Sequence, residues 1–479
     1  MMVAATQGII EGVGFYIVDP EGYLLLIKKP SKNDLGSTSG RNLLWKLVGT
    51  TEQCIHKHNL TDKENSAKQI LFDETPFMKD FTSACHYVGN WLYTGDKGVF
   101  LFDNFVVKTR FIFRENAKTI AKQKGKNNIN DIHYFHLLEL PIAELFKLTA
   151  DCLKVILFHK PELIASTRIG RSDIEYFNKI VEDNSRFFLY DKIPGGTYGA
   201  IYKALDISTL SARALKIAVP KFDDDKWRER FILEGTTLMR MRPLSKSLER
   251  GIERIFSINK AGDVTDGQYF LVKNWVRGKT LEAEFNEEGR KNLSDNLIID
   301  IMRRVIRTLH GIHSLNKPVC HRDLKPNNIM ILLDRHRRNI ENLTIIDFGL
   351  CKDESVLIGT ESGVQIGNAI YQSINTIRNY NKHNVMDDYY SALHIFHFLL
   401  FGKSFYSQKR DLVKQKKEKG KDTFIEKNAT DFNNARWPES TKLFRELFTI
   451  VKENNNVIGN AAEEKKVINR IWDLFKKRS

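Results

Sequence analysis

The sequence predicts an α+β chain built from two successive folds: a smaller α/β domain, then a larger body that starts β-rich and becomes mainly helical. Three observations carry this expectation. At 479 residues the chain is too long for one ordinary hydrophobic core. Its hydrophobic content of 42%, with 11% aromatics, is that of a globular protein rather than a disordered one. Strand-like runs fill the early part, whereas Leu443, Leu447, Ile450 and then Val467, Ile468, Ile471, Trp472 and Phe475 recur at helical spacing.

Residues 1–14 have no basic stretch ahead of an apolar one, which argues against a secretory leader. Residues 15–18 and 23–27 are apolar runs around Asp19-Pro20-Glu21-Gly22, a turn signal, and should pair as a hairpin. Thr61 followed by Glu64 reads as a capping box opening a helix to about Glu74, with Pro76 as its stop. Residues 105–113 alternate like a half-buried strand, residues 134–138 form a shorter one, and a helix is expected from near Pro141. These elements make up an N-terminal α/β domain over 1–150. Residues 151–186 read as a helical connector, polar from Gly170 onward, and a second fold starts near Phe188. No internal repeat is evident. The longest apolar run, 392–401, contains two histidines and falls short of the ~20 residues a bilayer span needs, so no transmembrane segment is expected.

The net charge is +15. Its densest run is Lys409, Arg410, Lys414, Lys416, Lys417, Lys419 and Lys421, with a second at Lys118, Lys122, Lys124 and Lys126. Such runs are usually solvated faces, and residues 408–435 read as polar and mobile. The alternative is an electrostatic surface for an acidic partner or an anionic membrane. No aromatics interleave with the lysines, so nucleic acid is not indicated. Five cysteines, Cys54, Cys85, Cys152, Cys320 and Cys351, are scattered without metal-ligand spacing and read as reduced thiols. Cys351 is the one expected to meet solvent.

The most telling stretch is His321-Arg322-Asp323-Leu324-Lys325-Pro326-Asn327-Asn328, then two β-rich runs, then Asp347-Phe348-Gly349. Its types and spacing match what phosphoryl transfer needs: one carboxylate to take a hydroxyl proton, an amide and a second carboxylate to hold magnesium. With this passage the chain resembles a eukaryotic-type Ser/Thr protein kinase over residues 187–400. The resemblance implies a bilobal fold, with a β-rich N-lobe over 187–276 and a mainly helical, abbreviated C-lobe over 277–479.

It also implies roles for particular residues. Pro194-Gly195-Gly196-Thr197-Tyr198-Gly199-Ala200-Ile201 stands where the family has its glycine-rich phosphate loop, with Gly196 and Gly199 matching two family glycines, Pro194 replacing the first and Gly195 beside it. Lys216, after Ala214 and Leu215, is expected to pair the α and β phosphates and to be held by Glu234 from the helical stretch 227–239. Ile201 and Ala214 should line the nucleotide site, and adenine should meet the hinge backbone near Asn274 and Val276. Lys273 takes the gatekeeper position, where the family is usually apolar; contact with a phosphate-bearing group or snorkelling are the options. Asp323 is the expected catalytic base, Lys325 the Ser/Thr-class lysine that neutralises the moving phosphoryl, and Asn328 and Asp347 the ligands of Mg²⁺ or Mn²⁺. Asp388 matches the helix aspartate that anchors the catalytic-loop backbone. Ser355, Thr360 and Ser362 are hydroxyls of an activation segment, and Arg322 is placed to pair with a phosphate on one of them. Ser373-Ile374-Asn375 replaces the family's Ala-Pro-Glu, so the closing glutamate is missing. The charged turn 334–338 reads as a surface elaboration.

The N-terminal domain faintly resembles a degenerate Nudix hydrolase. Its hairpin, residues 44–52 and the helix ending Phe72-Asp73-Glu74 carry the likeness, with Asp73 and Glu74 as the paired acids. Gln69, Ile70, Pro76 and Thr50 depart from the motif. The resemblances imply an ATP-dependent Ser/Thr kinase acting on protein substrates, in the cytoplasm, or the host-cell cytoplasm if the chain is viral or a secreted bacterial effector. A nucleotide-binding pseudokinase scaffold and a small-molecule phosphotransferase are the alternatives.

Overall fold

The structure, a computed structural model, describes residues 10–29, 44–46, 48–50, 60–74, 78–79, 82–95, 98–110, 131–145, 147–164, 167–180, 187–193, 199–218, 226–247, 251–261, 268–353, 368–378, 384–406, 410–419, 422–454 and 461–476. The chain divides into two compact units, Met1–Pro194 with Ile201–Ala214, and Gly195–Ala200 with Leu215–Ser479. The start of the second fold expected near Phe188 therefore lies inside the first unit's span. Among the described residues no helix is long and apolar enough to cross a membrane.

Unit 1 is organised by a seven-stranded mixed sheet of β1 (Ile10–Val18), β2 (Tyr23–Lys29), β3 (Leu44–Lys46), β4 (Val48–Thr50), β5 (Thr82–Gly95), β6 (Gly98–Thr109) and β7 (Asp131–His136). β1 and β2 form the expected hairpin. Asp19 closes it by accepting the Glu21 and Tyr23 N–H groups at 2.9 Å each. β1 also pairs parallel with β6 along its whole length. Because side chains alternate along a strand, β1 feeds two cores. Val13, Phe15 and Ile17 pack with Ala67, Ile70 and Leu71 of α1 (Leu60–Glu74). Tyr16 and Val18 pack with Leu153, Ile156 and Leu157 of α2 (Lys147–His159).

Several local expectations change. α1 begins at Leu60, so Thr61 lies inside it, and the Glu64 carboxylate accepts the Tyr87 N–H at 3.1 Å instead of closing a capping box. Near Pro141 the chain makes only a 3-10 turn, Ile142–Glu144; the helix proper is α2. The strand expected over 105–113 is the end of β6, and residues 111–113 lie outside the described residues. The expected connector holds α3 (Pro161–Ile164) and α4 (Arg171–Ile180). Asp173 of α4 takes Lys192 at 2.6 Å and the Tyr202 hydroxyl at 3.2 Å, so this stretch is fastened within unit 1.

Lys192 and Tyr202 belong to β8 (Phe187–Ile193) and β9 (Gly199–Asp206). With β10 (Ser211–Ala218), β11 (Ile255–Ala261) and β12 (Gln268–Asn274) they form a five-stranded sheet ordered β11-β12-β10-β9-β8, and the division between units passes through β9 and β10. Unit 2 continues with α5 (Lys226–Arg240), α6 (Arg242–Ser247), β13 (Lys279–Thr280), α7 (Leu281–Glu284), α8 (Asp295–His313), β14 (Val319–Cys320), β15 (Ile329–Leu333), β16 (Ile340–Ile345) and β17 (Lys352–Asp353). It ends with α9 (Ile374–Arg378), α10 (Val385–Phe401), α11 (Arg410–Lys419), α12 (Pro438–Glu453) and α13 (Ala461–Lys476).

α10 is the helix around which unit 2 packs: every residue from Val385 to Leu400 is buried. A capping box of Asn384 and Asp387 starts it, and Gly402 in the left-handed region (φ 80) ends it. A Cβ at Gly402 would also collide with the Arg290 guanidinium, which caps the Leu399 and Leu400 carbonyls. The predicted C-terminal periodicity is met by α12 and α13, whose Leu443, Leu447, Ile468 and Ile471 enter the same core. The charged turn after β15 is anchored, since Arg337 forms an ion pair with Glu284 of α7.

The lysine-rich segment departs most from expectation. Arg410–Lys419 is helical, and Lys416 is fully buried, its Nζ 2.7 Å from the Tyr390 hydroxyl and 3.7 Å from Asp422. The ammonium also lies 4.7 and 4.6 Å from the centroids of the Tyr390 and Tyr406 rings, which offset some of its lost hydration. Lys414, Lys417 and Lys419 remain exposed, so only part of the run is a solvated face. Burial lowers Lys416 from 10.5 to about 8, against the pull of Asp422. From about pH 8 to 10 the unfolded chain therefore binds more protons than the folded one, and stability should rise with pH there. The rise is on the order of 1 kcal/mol per pH unit at most. Below pH 8 this group contributes no slope. Urea unfolding at pH 7, 8.5 and 9.5 should show the rise in the wild type and its loss in Lys416→Met.

Candidate active site

The loop between β14 and β15 is fixed through its backbone. Asp388, fully buried on α10, accepts the His321 N–H at 2.7 Å and the Arg322 N–H at 3.0 Å. His313 of α8 approaches the same carboxylate at 2.9 Å. With its oxygens so engaged, a buried carboxylate holds the loop in a shape an isolated peptide would not keep. Arg322 sits at φ 67 and Asp347 at φ 64, conformations that L-residues enter at a cost of about 1–2 kcal/mol. His321 joins the two strained segments: its Nε2 donates to the Ile346 carbonyl at 3.0 Å, its Nδ1 accepts the Asp323 N–H at 3.3 Å, and its ring packs on Phe348 at 4.7 Å. Phe348 is fully buried.

Asp323 is thereby aimed and its carboxylate nearly enclosed. Lys325 Nζ lies 2.6 Å from Oδ2, Asn328 Nδ2 reaches the same oxygen at 3.1 Å and the Asp323 carbonyl at 2.8 Å, and the Asn368 N–H reaches Oδ1 at 3.4 Å. Because the Asn328 nitrogen is spent on Asp323, its amide oxygen is the atom left to face a cation.

A second cluster gathers buried charges. Lys216 Nζ stands 2.6 Å from Glu234 Oε2 and 3.4 Å from Asp347 Oδ1. Lys273 Nζ stands 3.0 Å from Glu234 Oε1 and 3.0 Å from Glu253 Oε2. Glu253 Oε1 in turn accepts the Asp347 N–H at 2.9 Å. Burial disfavours the charges of Lys216, Lys273, Glu234 and Asp347, yet their mutual attractions prevail. Lys216 and Lys273 are held above the usual lysine range, and Glu234 and Asp347 below the usual carboxylate range by the two lysines. Lys273 thus neither snorkels nor faces an open site; it is buried between two carboxylates. Glu253 carries no signal in the sequence, being a lone acid with no motif around it. Its role follows from a bridge between Ile252 and Ile345 and from its own N–H donating to the Ile345 carbonyl, which set it beside Asp347.

Gly199 is a close-approach position: a Cβ there would lie 2.6 Å from the Ile217 carbonyl, next to Lys216. Gly195 and Gly196, like Ser355, Thr360 and Ser362, lie outside the described residues. Arg322 is buried. Ile201 and Ala214 are half-buried on the unit 1 portions of β9 and β10. Asn274 gives its N–H to the Arg254 carbonyl at 2.9 Å; Val276 follows, half-buried, beyond the strand. Where the closing glutamate is missing, the Ser373 hydroxyl donates to Asp387 at the start of α10 and accepts the Thr376 N–H. Cys351 is buried, not solvent-facing, with Cys85, Cys152 and Cys320. Together, a lysine ammonium, two hard oxygen donors and an aimed carboxylate suit a polyphosphate, a hard divalent cation and a hydroxyl proton.

The family model for the protein kinase domain matches residues 188–471, more than half of the chain. The chain is 28% identical over 221 residues to the serine/threonine-protein kinase PknL of Mycobacterium tuberculosis, covering 46% of this chain and 50% of that protein. It is 26% identical over 191 residues to a probable serine/threonine-protein kinase of Clostridium acetobutylicum, covering 40% and 26%. It is 29% identical over 174 residues to a probable cell division protein kinase of Encephalitozoon cuniculi, covering 36% and 56%. The chain thus spans about half the length of PknL.

Removing Asp388 would leave two buried N–H groups unpaired in a strained loop. Asp388→Ala should lower stability by about 2–4 kcal/mol in urea unfolding; a loss below about 0.5 kcal/mol would contradict this role.

Proposed function

The chain belongs to the protein kinase family, and on that premise we propose that it transfers the terminal phosphate of ATP to serine and threonine hydroxyls of protein substrates. The observation that carries the reading is the junction at Lys216. One ammonium meets the buried Glu234 at 2.6 Å and the Asp347 carboxylate at 3.4 Å, while nearly half of the Asp347 side-chain surface stays open. A cation so held can give part of its charge to a phosphate chain without losing its counter-ion.

The donor set fits a hard divalent cation, Mg²⁺ or Mn²⁺: the Asn328 amide oxygen and the Asp347 carboxylate are both hard oxygens. When bound, the ion would offset charge on the phosphate oxygens. The protein's own residues do the rest. Asp323 orients the acceptor hydroxyl and takes its proton as the new O–P bond forms. The bond from the γ phosphorus to the β–γ bridging oxygen breaks, and ADP leaves with that electron pair. Lys325, 2.6 Å from Asp323, is placed to meet the negative charge of the moving phosphoryl group. Asn368 and Asn328 keep the carboxylate from swinging away.

For unit 1 the reading is a Nudix-like sandwich used to regulate the kinase or bind a partner. Support comes from the mixed sheet, with α1 on one face and α2 on the other. The exposed Asp73 takes a hydrogen bond from Gln69 at 2.8 Å.

Incubation with radiolabelled ATP, magnesium and either casein or a basic protein should label protein. Asp323→Ala should lower the rate by about 10²–10⁴-fold. Nucleotide binding by the wild type without any labelling would overturn the transferase reading and favour a scaffold.

A further inference from the structure

The charged cluster closes on itself. Lys216 meets Glu234, Glu234 meets Lys273, Lys273 meets Glu253, Glu253 receives the Asp347 N–H, and the Asp347 carboxylate returns to Lys216, each step at 2.6–3.4 Å. Two lysines face three carboxylates, so the ring carries one net negative charge. Four of its side chains have 6% exposure or less; the fifth, Asp347, is the open one. Lys216, Glu234 and Asp347 already have parts in the proposed transfer. Lys273 and Glu253 have none, although burying two more charges is costly unless they act through their neighbours.

We propose that Lys273 and Glu253 are positioning residues, an internal strut that fixes the Glu234 carboxylate and the Asp347 backbone in the arrangement that receives nucleotide and cation. The geometry explains why both are needed. Glu234 has two oxygens and gives one to each lysine, so Lys273 stops its carboxylate from rotating off Lys216. Glu253 is held by its own N–H on the Ile345 carbonyl, and its free oxygen grips the peptide of Asp347 where that residue is strained. The strut links α5 and β12 through side chains and reaches the segment after β16 through the Asp347 N–H. It also puts a paired charge at the position the resemblance assigns to the gatekeeper.

The inference rests on the kinase reading, and the two can fail separately. Calorimetric binding of the ATP analogue AMP-PNP, with and without Mg²⁺, should be measured beside kcat and KM in wild type, Lys273→Met/Glu253→Leu, Lys273→Arg and Glu253→Asp. The double variant replaces the strut by an apolar pair and leaves no orphan charge. It leaves the Asp347 N–H without its acceptor, so its midpoint should fall somewhat while unfolding stays cooperative. It should lose at least ~10-fold of the affinity gained on adding Mg²⁺ and at least ~10-fold in kcat, with KM for ATP moving less. Lys273→Arg, which keeps the charge, should retain more of both. Should the double variant not fold, Glu253→Asp decides: it keeps the charge but draws the carboxylate back from Asp347, and the same ~10-fold loss is expected. Wild-type values in whichever variant decides would overturn the strut alone, provided the wild type binds and transfers. A wild type that neither binds nor transfers would overturn the kinase reading, and the strut with it.

Discussion

A carboxylate almost without access to water, that of Glu234, sets the terms for unit 2. An isolated charge in such a place would take up a proton or unfold its surroundings. It persists because two ammonium groups reach it from different strands, Lys216 from β10 and Lys273 from β12. Each partner constrains the backbone it comes from: α5 must lie where Glu234 can reach both, and Asp347 must approach Lys216. The core clustered around Phe231, Leu271 and Phe348 is shaped around these paired charges as much as the charges are buried by it.

The catalytic-loop side of the site uses a different device. Its carboxylate anchor, Asp388, binds backbone N–H groups rather than side-chain cations, and so fixes loop shape rather than charge. His321 then links that loop to the segment carrying Asp347, so Asp323 and Asp347 are placed by one hydrogen-bonded frame. The Ser373–Asp387 bond belongs to the same frame. It ties the segment entering α9 to the N-terminus of α10, beside the position where the closing glutamate is missing. A neutral hydroxyl carries no desolvation penalty for a second charge beside Asp387.

Elements with a strong local signal were legible in the sequence. The β1–β2 hairpin follows from its turn residues, and α12 and α13 follow from apolar spacing. Where several local signals compete, tertiary contacts decide the outcome. Thr61 and Glu64 spell a capping box, but tertiary contact with β5 claimed the glutamate. Pro141 opens only a single tight turn because Leu140 and Leu145 are both drawn into the core. The long β5 strand passed unremarked because its aromatic and small residues show no clean alternation.

Ordered spelling alone placed Lys216, Asp323, Asn328 and Asp347 on a common chemical theme, because phosphoryl transfer demands fixed residue types in a fixed order. Length by itself also pointed to more than one folding unit. What sequence could not decide is which charges meet water. Lys416 reads as part of a solvated face and Lys273 as a snorkelling or phosphate-contacting lysine, yet both are buried, and Glu253 carries no mark at all. The reason is physical. A lysine's surroundings are set by residues far away in the chain, Glu253 and Glu234 for one, Tyr390, Tyr406 and Asp422 for the other, and only folding brings those partners within reach.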